Sequence, residues 1–150
     1  MKDSNARGAL TLAVISGLGF LDAGYLTVKH YTGAPATCSL LEDCEKVLSS
    51  SYATMGNVPV AVLGMLYYFA VLLIAVICLR TKNDRLLRVA AGFTTVGFIA
   101  SSWFVYLQLF VIHAICLYCM MSAINSTVLF VLGFLVVKSY NQNKPWKIQN

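Results

Sequence analysis

The sequence predicts an all-α integral membrane protein: a bundle of four transmembrane helices with an outer loop that carries cysteines. Only 11% of its 150 residues are charged and 59% are hydrophobic, with a mean hydropathy of +0.74. Soluble domains carry about 25% charged residues. Four apolar stretches each approach the roughly 20 residues that cross a bilayer. Basic residues cluster in alternate connections, as expected for a multi-pass chain.

The predicted spans cover residues 9–28, 59–79, 89–112 and 114–137. Each is predicted to be a helix, because a lone strand would leave its backbone N–H and C=O groups unpaired in lipid. Only His113 separates the last two spans, which predicts a tight hairpin. Residues 29–58 form the one long polar loop. We therefore expect residues 1–150 to form a single four-helix membrane domain.

Lysine and arginine positions predict the orientation. Most of them precede span one, join spans two and three, or follow span four: Lys2, Arg7, Arg80, Lys82, Arg85, Arg88, Lys138, Lys144 and Lys147. Only Lys29 and Lys46 lie in the long loop. Both termini are therefore expected in the cytoplasm, and the loop outside the cell membrane. No nucleic-acid partner is expected, because the sequence has no basic stripe with interleaved aromatic residues.

Four of the five cysteines are predicted at the outer face, as two closely spaced pairs. Cys38 and Cys44 lie in the long loop, whereas Cys116 and Cys119 form a Cys-x-x-Cys at the start of the fourth span. A helix start and this motif both favour a thiolate on the first cysteine. Positions three apart share a helix face, so the two sulfurs can bridge each other. Such pairs suit electron transfer from soluble thiols to an acceptor dissolved in lipid.

Other interpretations of the cysteines stay open at this point. Cys116 and Cys119 would also serve as small apolar core residues. Cys38 and Cys44 would also form a static loop disulfide in a non-catalytic membrane protein. A soft-metal carrier would use Cys-x-x-Cys to line its path. Zinc is disfavoured by the five-residue spacing and the oxidising compartment, so no metal is expected. Cys78, at the cytoplasmic end of span two, is expected to be inert packing.

Polar residues inside the spans are candidates to support this chemistry, because they are costly in a membrane. Asp22 is the only carboxylate within a span. Tyr67, Tyr68, Ser122 and Asn125 are candidate hydrogen-bond donors. The tyrosines also suit core or interfacial positions, and Asn125 also suits a contact between helices.

Several motifs occur in a fixed order along the chain: Cys38-x₅-Cys44, the stretch Glu45–Thr54, Gly56-x-x-Pro59-x-Ala61-x-x-Gly64 and Cys116-x-x-Cys119. With these residues the chain resembles the vitamin K epoxide reductase family, in its short bacterial or archaeal form without a fused thioredoxin domain. The resemblance implies a four-helix bundle that holds a quinone near its outer end. A quinone of the ubiquinone or menaquinone (vitamin K) type would be the substrate.

The resemblance also implies a role for each cysteine. Cys119 would lie next to the quinone, and Cys116 would exchange with Cys44. Cys38 would meet the external thiol partner, a DsbA-like protein of the thioredoxin fold. The implied activity is that of a quinone-dependent protein-dithiol oxidoreductase that supports disulfide bond formation.

Residues near the pocket are implied as well. Ser50 matches a serine near the family's site, and residues 45–55 would form a short amphipathic segment that caps the pocket. Vertebrate members hold the quinone oxygens with an asparagine and a tyrosine. Val60 and Ala123 stand at those positions here. This difference disfavours reduction of vitamin K epoxide and leaves plain quinone reduction.

Overall fold

The computed structural model describes residues 2–33, 43–56, 58–81 and 84–143. Its elements are α1 (Lys2–Thr32), α2 (Asp43–Leu48), β1 (Thr54–Met55), β2 (Val58–Pro59), α3 (Val60–Thr81), α4 (Asp84–Tyr106) and α5 (Leu117–Asn143). A π-helix, Leu107–Ile112, continues α4 without a break.

Four helices are long and apolar enough to cross a membrane: Arg7–Thr32, Val60–Thr81, Arg88–Ile112 and Leu117–Lys138. This finding confirms the predicted all-α membrane bundle. Large apolar side chains cover the outward faces of these helices, among them Leu18, Ile99, Phe110, Ile124 and Phe134. Continuous apolar surface of this kind is suited to contact with lipid.

The long helices close a ring in which α1 and α4 each pack against both α3 and α5. Neighbouring helices run antiparallel. On one side the α3 residue Gly64 lies against Ala23 of α1, and on the other Phe98 of α4 stacks on Phe130 of α5. The bundle end where α1 and α4 finish and α3 and α5 begin therefore also carries Cys116 and Cys119. We call it the cysteine end.

The opposite half of the bundle, which we call the packed half, is close-packed around Leu12, Ala75 and Leu129. Small residues bring its helices together. A Cβ added to Gly133 of α5 would lie 2.8 Å from the Oγ1 atom of Thr94 on α4. In lipid, close packing of this kind replaces burial from water as the main attraction between helices. Cys78 is buried on α3, near the end of the helix that is remote from the cysteine end.

One local expectation needs correction. The connection between the last two spans comprises residues 113–116 rather than His113 alone, and α5 begins at Leu117. Hydropathy misses this because the residues that leave the helix are themselves apolar. The segment 45–55, which was expected to cap the pocket, contains the rest of α2, which ends at Leu48, and a turn that leads into the β1–β2 hairpin. Gly56 allows the hairpin turn, with φ of 66°.

Candidate active site

Cys116 caps the first turn of α5 with its own sulfur. Its carbonyl accepts the first helical hydrogen bond, from the Met120 N–H at 3.0 Å. Its Sγ atom accepts a bond from the Cys119 N–H at 3.4 Å. A side-chain acceptor on the third N–H of a helix is the usual N-cap arrangement. The sequence predicted both cysteines on the helix, whereas the structure places Cys116 just ahead of it, where the helix dipole favours a negative sulfur.

These hydrogen bonds lower the pKa of Cys116 to about 7. The largest cause is the hydrogen bond with the Cys119 side chain, and the backbone N–H groups of Cys119 and Tyr118 add to it. Burial and the carboxyl group of Asp22 act in the opposite direction. The reactive thiolate form of Cys116 is therefore substantially populated near neutral pH.

Gln108, in the π-helix, holds the backbone of the turn that carries Cys116. Its carbonyl accepts hydrogen bonds from the N–H groups of His113 and, at 3.2 Å, Ala114. Its side-chain Oε1 accepts a bond from the Cys116 N–H at 3.0 Å. Its Nε2 donates to the Phe104 carbonyl at 3.5 Å. One buried residue thus satisfies three backbone donors of a four-residue turn.

A cavity of about 360 Å³ lies next to the cysteine end, and Cys119 lines it. Its other lining residues are mostly apolar and come from all four long helices and the α2 region, among them Leu26, Ala53, Leu63, Val96, Phe104, Ile112 and Ala123. Small-molecule sites occupy roughly 300–1,000 Å³. Cys116 does not line this cavity and is 0% exposed. Two sulfurs three residues apart therefore have different surroundings.

The short helix α2 covers Cys116. Val47 of α2 forms a buried apolar cluster with Ala114 and Cys116, against which Tyr118 also packs. Cys44 belongs to the same helix, three residues before Val47. The side chain of Cys44 and the whole of Cys38 lie outside the described residues. The described part of the loop thus places the α2 backbone that carries Cys44 over the cysteine pair.

Three of the predicted supporting residues, Ser50, Tyr67 and Ser122, line the cavity. The Ser50 hydroxyl donates to the Val47 carbonyl at 2.7 Å, which fixes the turn after α2. Tyr68, also in the lining, donates to the Ser122 carbonyl at 2.8 Å and lies 3.0 Å from the Ser122 hydroxyl. This pair ties α3 to α5 across the bundle.

Tyr67 differs from Tyr68 in having no such partner. Its hydroxyl is buried, and Ser126 faces it from α5. Within the described residues neither hydroxyl has a hydrogen-bond partner of normal geometry. Gly97 of α4 makes room for the phenol, since a Cβ at that position would collide with the Tyr67 hydroxyl. A residue with an unpaired hydroxyl therefore lines an apolar cavity.

Asp22 and Asn125 do not line the cavity. They lie in a separate groove between α1 and α5. Asn125 donates to the Ile15 carbonyl at 3.1 Å and so links the two helices. The Asp22 Oδ2 atom is buried, and no group in the described ranges pairs with it. Ala23, the next residue, does line the cavity, and the rotation of about 100° per residue turns Asp22 away.

Sequence reasoning missed Gln108 and Gly97, and it included Val47 only as part of the capping segment 45–55. Gln108 carried a usable signal, because an amide in an otherwise apolar span is costly unless it has a task. Gly97 carried none, since its importance depends on what packs against it. In the described ranges no three His, Cys, Asp or Glu side chains form a group that could hold a metal ion.

Comparison with known proteins agrees with this geometry. The model of the vitamin K epoxide reductase family matches residues 10–134. The thiol-disulfide oxidoreductase LTO1 of Arabidopsis thaliana is 34% identical over 128 residues, which cover 79% of this chain and 34% of that protein. The chain thus spans about a third of the length of the curated relative it matches. Because the family match runs from α1 into α5 and includes both cysteine pairs, this protein belongs to the vitamin K epoxide reductase family of membrane oxidoreductases.

Proposed function

We propose that this protein is a membrane thiol oxidoreductase that passes electrons from a reduced thioredoxin-fold partner to a membrane quinone. The relay runs through Cys38 and Cys44 to Cys116 and Cys119. Its product, an oxidised partner protein, supports disulfide bond formation. Family membership supports thiol oxidoreductase chemistry in a membrane, and the printed name of the Arabidopsis relative agrees with it.

One observation carries the quinone part of the proposal: Cys119 lines an apolar cavity from which Cys116 is excluded. A lipid-soluble substrate in this cavity meets one sulfur of the pair. A protein thiol arriving from the loop meets the other, beneath Val47. The quinone and the loop thiol therefore each react with a different sulfur of the pair and do not compete for the same one.

The relay moves two electrons from the partner thiols to the quinone through successive disulfide exchanges. Two partner thiols reduce the Cys38–Cys44 disulfide, and the Cys44 thiolate then attacks Cys116 in the Cys116–Cys119 disulfide, which releases the Cys119 thiolate. Attack by Cys38 on Cys44 releases Cys116. Finally Cys116 and Cys119 form their disulfide again while two electrons and two protons convert the quinone to a quinol. The low pKa of Cys116 makes it a good leaving group in the second exchange.

The acceptor supplies the driving force. Exchange between similar disulfides changes the free energy little, whereas a quinone lying about 200 mV above the disulfide couple would supply about 9 kcal/mol. Net oxidation of the partner is then effectively irreversible. The quinone is of the ubiquinone or menaquinone type, and the unpaired Tyr67 hydroxyl is the donor we assign to one of its carbonyl oxygens.

The orientation follows from the basic residues. We propose that residues 1–150 act as one four-helix membrane domain with both termini in the cytoplasm. The cysteine end then faces an oxidising compartment, where a DsbA-like protein can reach Cys38.

The test is quinone reduction by the purified protein in lipid nanodiscs. Reduced thioredoxin-fold dithiol protein and a short-chain menaquinone analogue are mixed with it, and quinone absorbance is followed. Cys119→Ala should reduce the rate to background. Cys78→Ala, a matched change at the far end of α3, should leave it unchanged.

Other outcomes would contradict the proposal. Full activity in Cys119→Ala, or no quinone reduction by the wild-type protein, would eliminate the relay. If a Cys116→Ala/Cys119→Ala double variant kept every cellular phenotype, the protein would be a non-catalytic membrane protein with a structural loop disulfide. Thiol-dependent uptake of a soft metal would identify a carrier instead.

A further inference from the structure

We infer that Gln108 is a positioning residue for the relay: its amide holds Cys116 in the N-cap position beside Cys119 and outside the quinone cavity. The inference rests on the proposed function for the task of Cys116, but its test needs no quinone. Gln108 touches the backbone of Cys116 and not its sulfur, so it acts through geometry rather than as a catalytic residue.

The hydrogen bonds define what Gln108 holds in place. Its Oε1 accepts from the Cys116 N–H at 3.0 Å, and the Cys116 Sγ in turn accepts from the Cys119 N–H at 3.4 Å. The first bond fixes the backbone at the residue whose side chain makes the second. In the described part of the chain, Gln108 Oε1 is the acceptor for the Cys116 N–H, and no other group would replace it if that amide were removed. The turn would then relax, and the sulfur would lose its N-cap bond.

The position of Gln108 also separates the two sulfurs. The residue is 3% exposed to solvent and lines the cavity together with Cys119. It thus lies between the cavity and the turn. The π-helix makes this possible, since its wider winding lets the Gln108 carbonyl accept from His113 while the side chain reaches on to Cys116.

Other groups around Cys116 do not duplicate this role. Cys119 and Tyr118 donate to its sulfur from α5, and Asp22 on α1 acts on it through its charge. From α2 the contact is apolar, through Val47, and Lys46 is exposed. His113, in the turn itself, is also exposed. Removing the Gln108 amide should therefore affect Cys116 by relaxing the turn.

The experiment measures the pH profile of Cys116 alkylation in phosphine-reduced protein in nanodiscs, with iodoacetamide and site-resolved mass spectrometry. Because Cys116 is buried, the absolute rate reports opening of the α2 cover as well as ionisation, whereas the midpoint reports ionisation alone. The wild-type midpoint is expected near 7. In Gln108→Leu it should rise toward the ordinary value of 9.0. A rise to about 8 would lower the rate at pH 7 roughly five-fold and leave the rate at pH 10 unchanged.

The matched control is Thr94→Val on the same helix. Thr94 is also a buried polar residue, and it donates to the Ala91 carbonyl at 2.8 Å, about 21 Å along α4 from Gln108. This variant should keep the wild-type midpoint. A general loosening of the bundle would raise alkylation at every pH, whereas loss of positioning moves the midpoint.

Two further measurements test whether Gln108 holds the Cys116 backbone. Gln108→Asn retains an amide that is too short to reach Cys116, so it should shift the midpoint in the same direction as Gln108→Leu. In the wild-type protein, the Cys116 amide should exchange hydrogen as slowly as the amides inside α5. An unchanged midpoint in a folded Gln108 variant, or rapid exchange at Cys116, would overturn the inference. Failed quinone reduction by the wild type would instead refute the proposed function.

Discussion

The two halves of the bundle use the same four helices but are packed differently. In the packed half Leu129 is 0% exposed, and Thr94 leaves no room for a Cβ at Gly133. In the half next to the cysteine end, the helices enclose a cavity of about 360 Å³, and the Tyr67 hydroxyl has no partner in the described residues. The first arrangement favours stability, and the second leaves space and a polar group for a substrate.

The two halves should therefore respond differently to substitution. A change in the packed half should alter the free energy of unfolding and leave the chemistry of each folded molecule intact. A change at the cavity should alter the chemistry, and it should alter the free energy of unfolding only where the residue also links two helices, as Tyr68 does.

The largest effect is expected from filling the cavity with Ala123→Phe. Ala123 lines the cavity, so the added ring should exclude the quinone and lower its reduction roughly 100-fold. Stability should not fall, because the ring fills existing space. Ala75→Phe is the matched change in the packed half, where Ala75 is 2% exposed. It should destabilise the bundle by overpacking. Normal quinone kinetics in Ala123→Phe would place the substrate elsewhere.

Truncation in the packed half should act on stability alone. Leu129→Ala should lower the free energy of unfolding by about 2 kcal/mol, the low end for such truncations, because lipid rather than water is the alternative surrounding. Denaturant unfolding in mixed micelles measures it. Leu135→Ala on the same helix, where Leu135 is 52% exposed, is the control and should have little effect. If Leu129→Ala changed quinone turnover per folded molecule, the halves would be coupled.

A pH dependence of stability should come from the cysteine end. The folded pKa of Cys116, about 7, lies below its ordinary value of 9.0. The thiolate therefore contributes stability that is fully present above pH 9 and lost as pH falls through 7, on the order of 2 kcal/mol. Cys116→Ser keeps an N-cap acceptor but does not titrate over this range. The difference in unfolding free energy between the two reduced proteins should grow from pH 7 to 9, and a constant difference would contradict the N-cap thiolate.

The smallest effect is expected from Tyr67→Phe. Loss of one neutral hydrogen bond to a quinone oxygen should raise KM about 3- to 10-fold, with kcat changed less. Stability should hold or rise slightly, because a buried unpaired hydroxyl is removed. Tyr68→Phe is the contrast, since Tyr68 bonds to Ser122 and its loss should lower stability. A KM unaffected by Tyr67→Phe would remove Tyr67 from the substrate site.

Hydropathy made the bundle predictable, because the four apolar runs depend only on composition along the chain. The Cys-x-x-Cys motif likewise identified Cys116 and Cys119 directly. The N-cap position of Cys116 was not predictable, because Ala114 and Ile115 are as apolar as the helix that follows. The groove position of Asp22 depends on the rotation of α1 against α5, which periodicity cannot give when nearly every face is apolar.

The π-helix makes the winding of the segment before Cys116 as important as its residues. If all six residues of Leu107–Ile112 were kept but wound as an ordinary α-helix, everything that follows would turn by roughly 100° about the helix axis. Such a change would leave the hydropathy profile, the span count and every cysteine intact. It would nevertheless carry the Cys116 N–H away from Gln108 and its sulfur away from the cover of α2. The wider winding of this segment therefore determines where Cys116 lies.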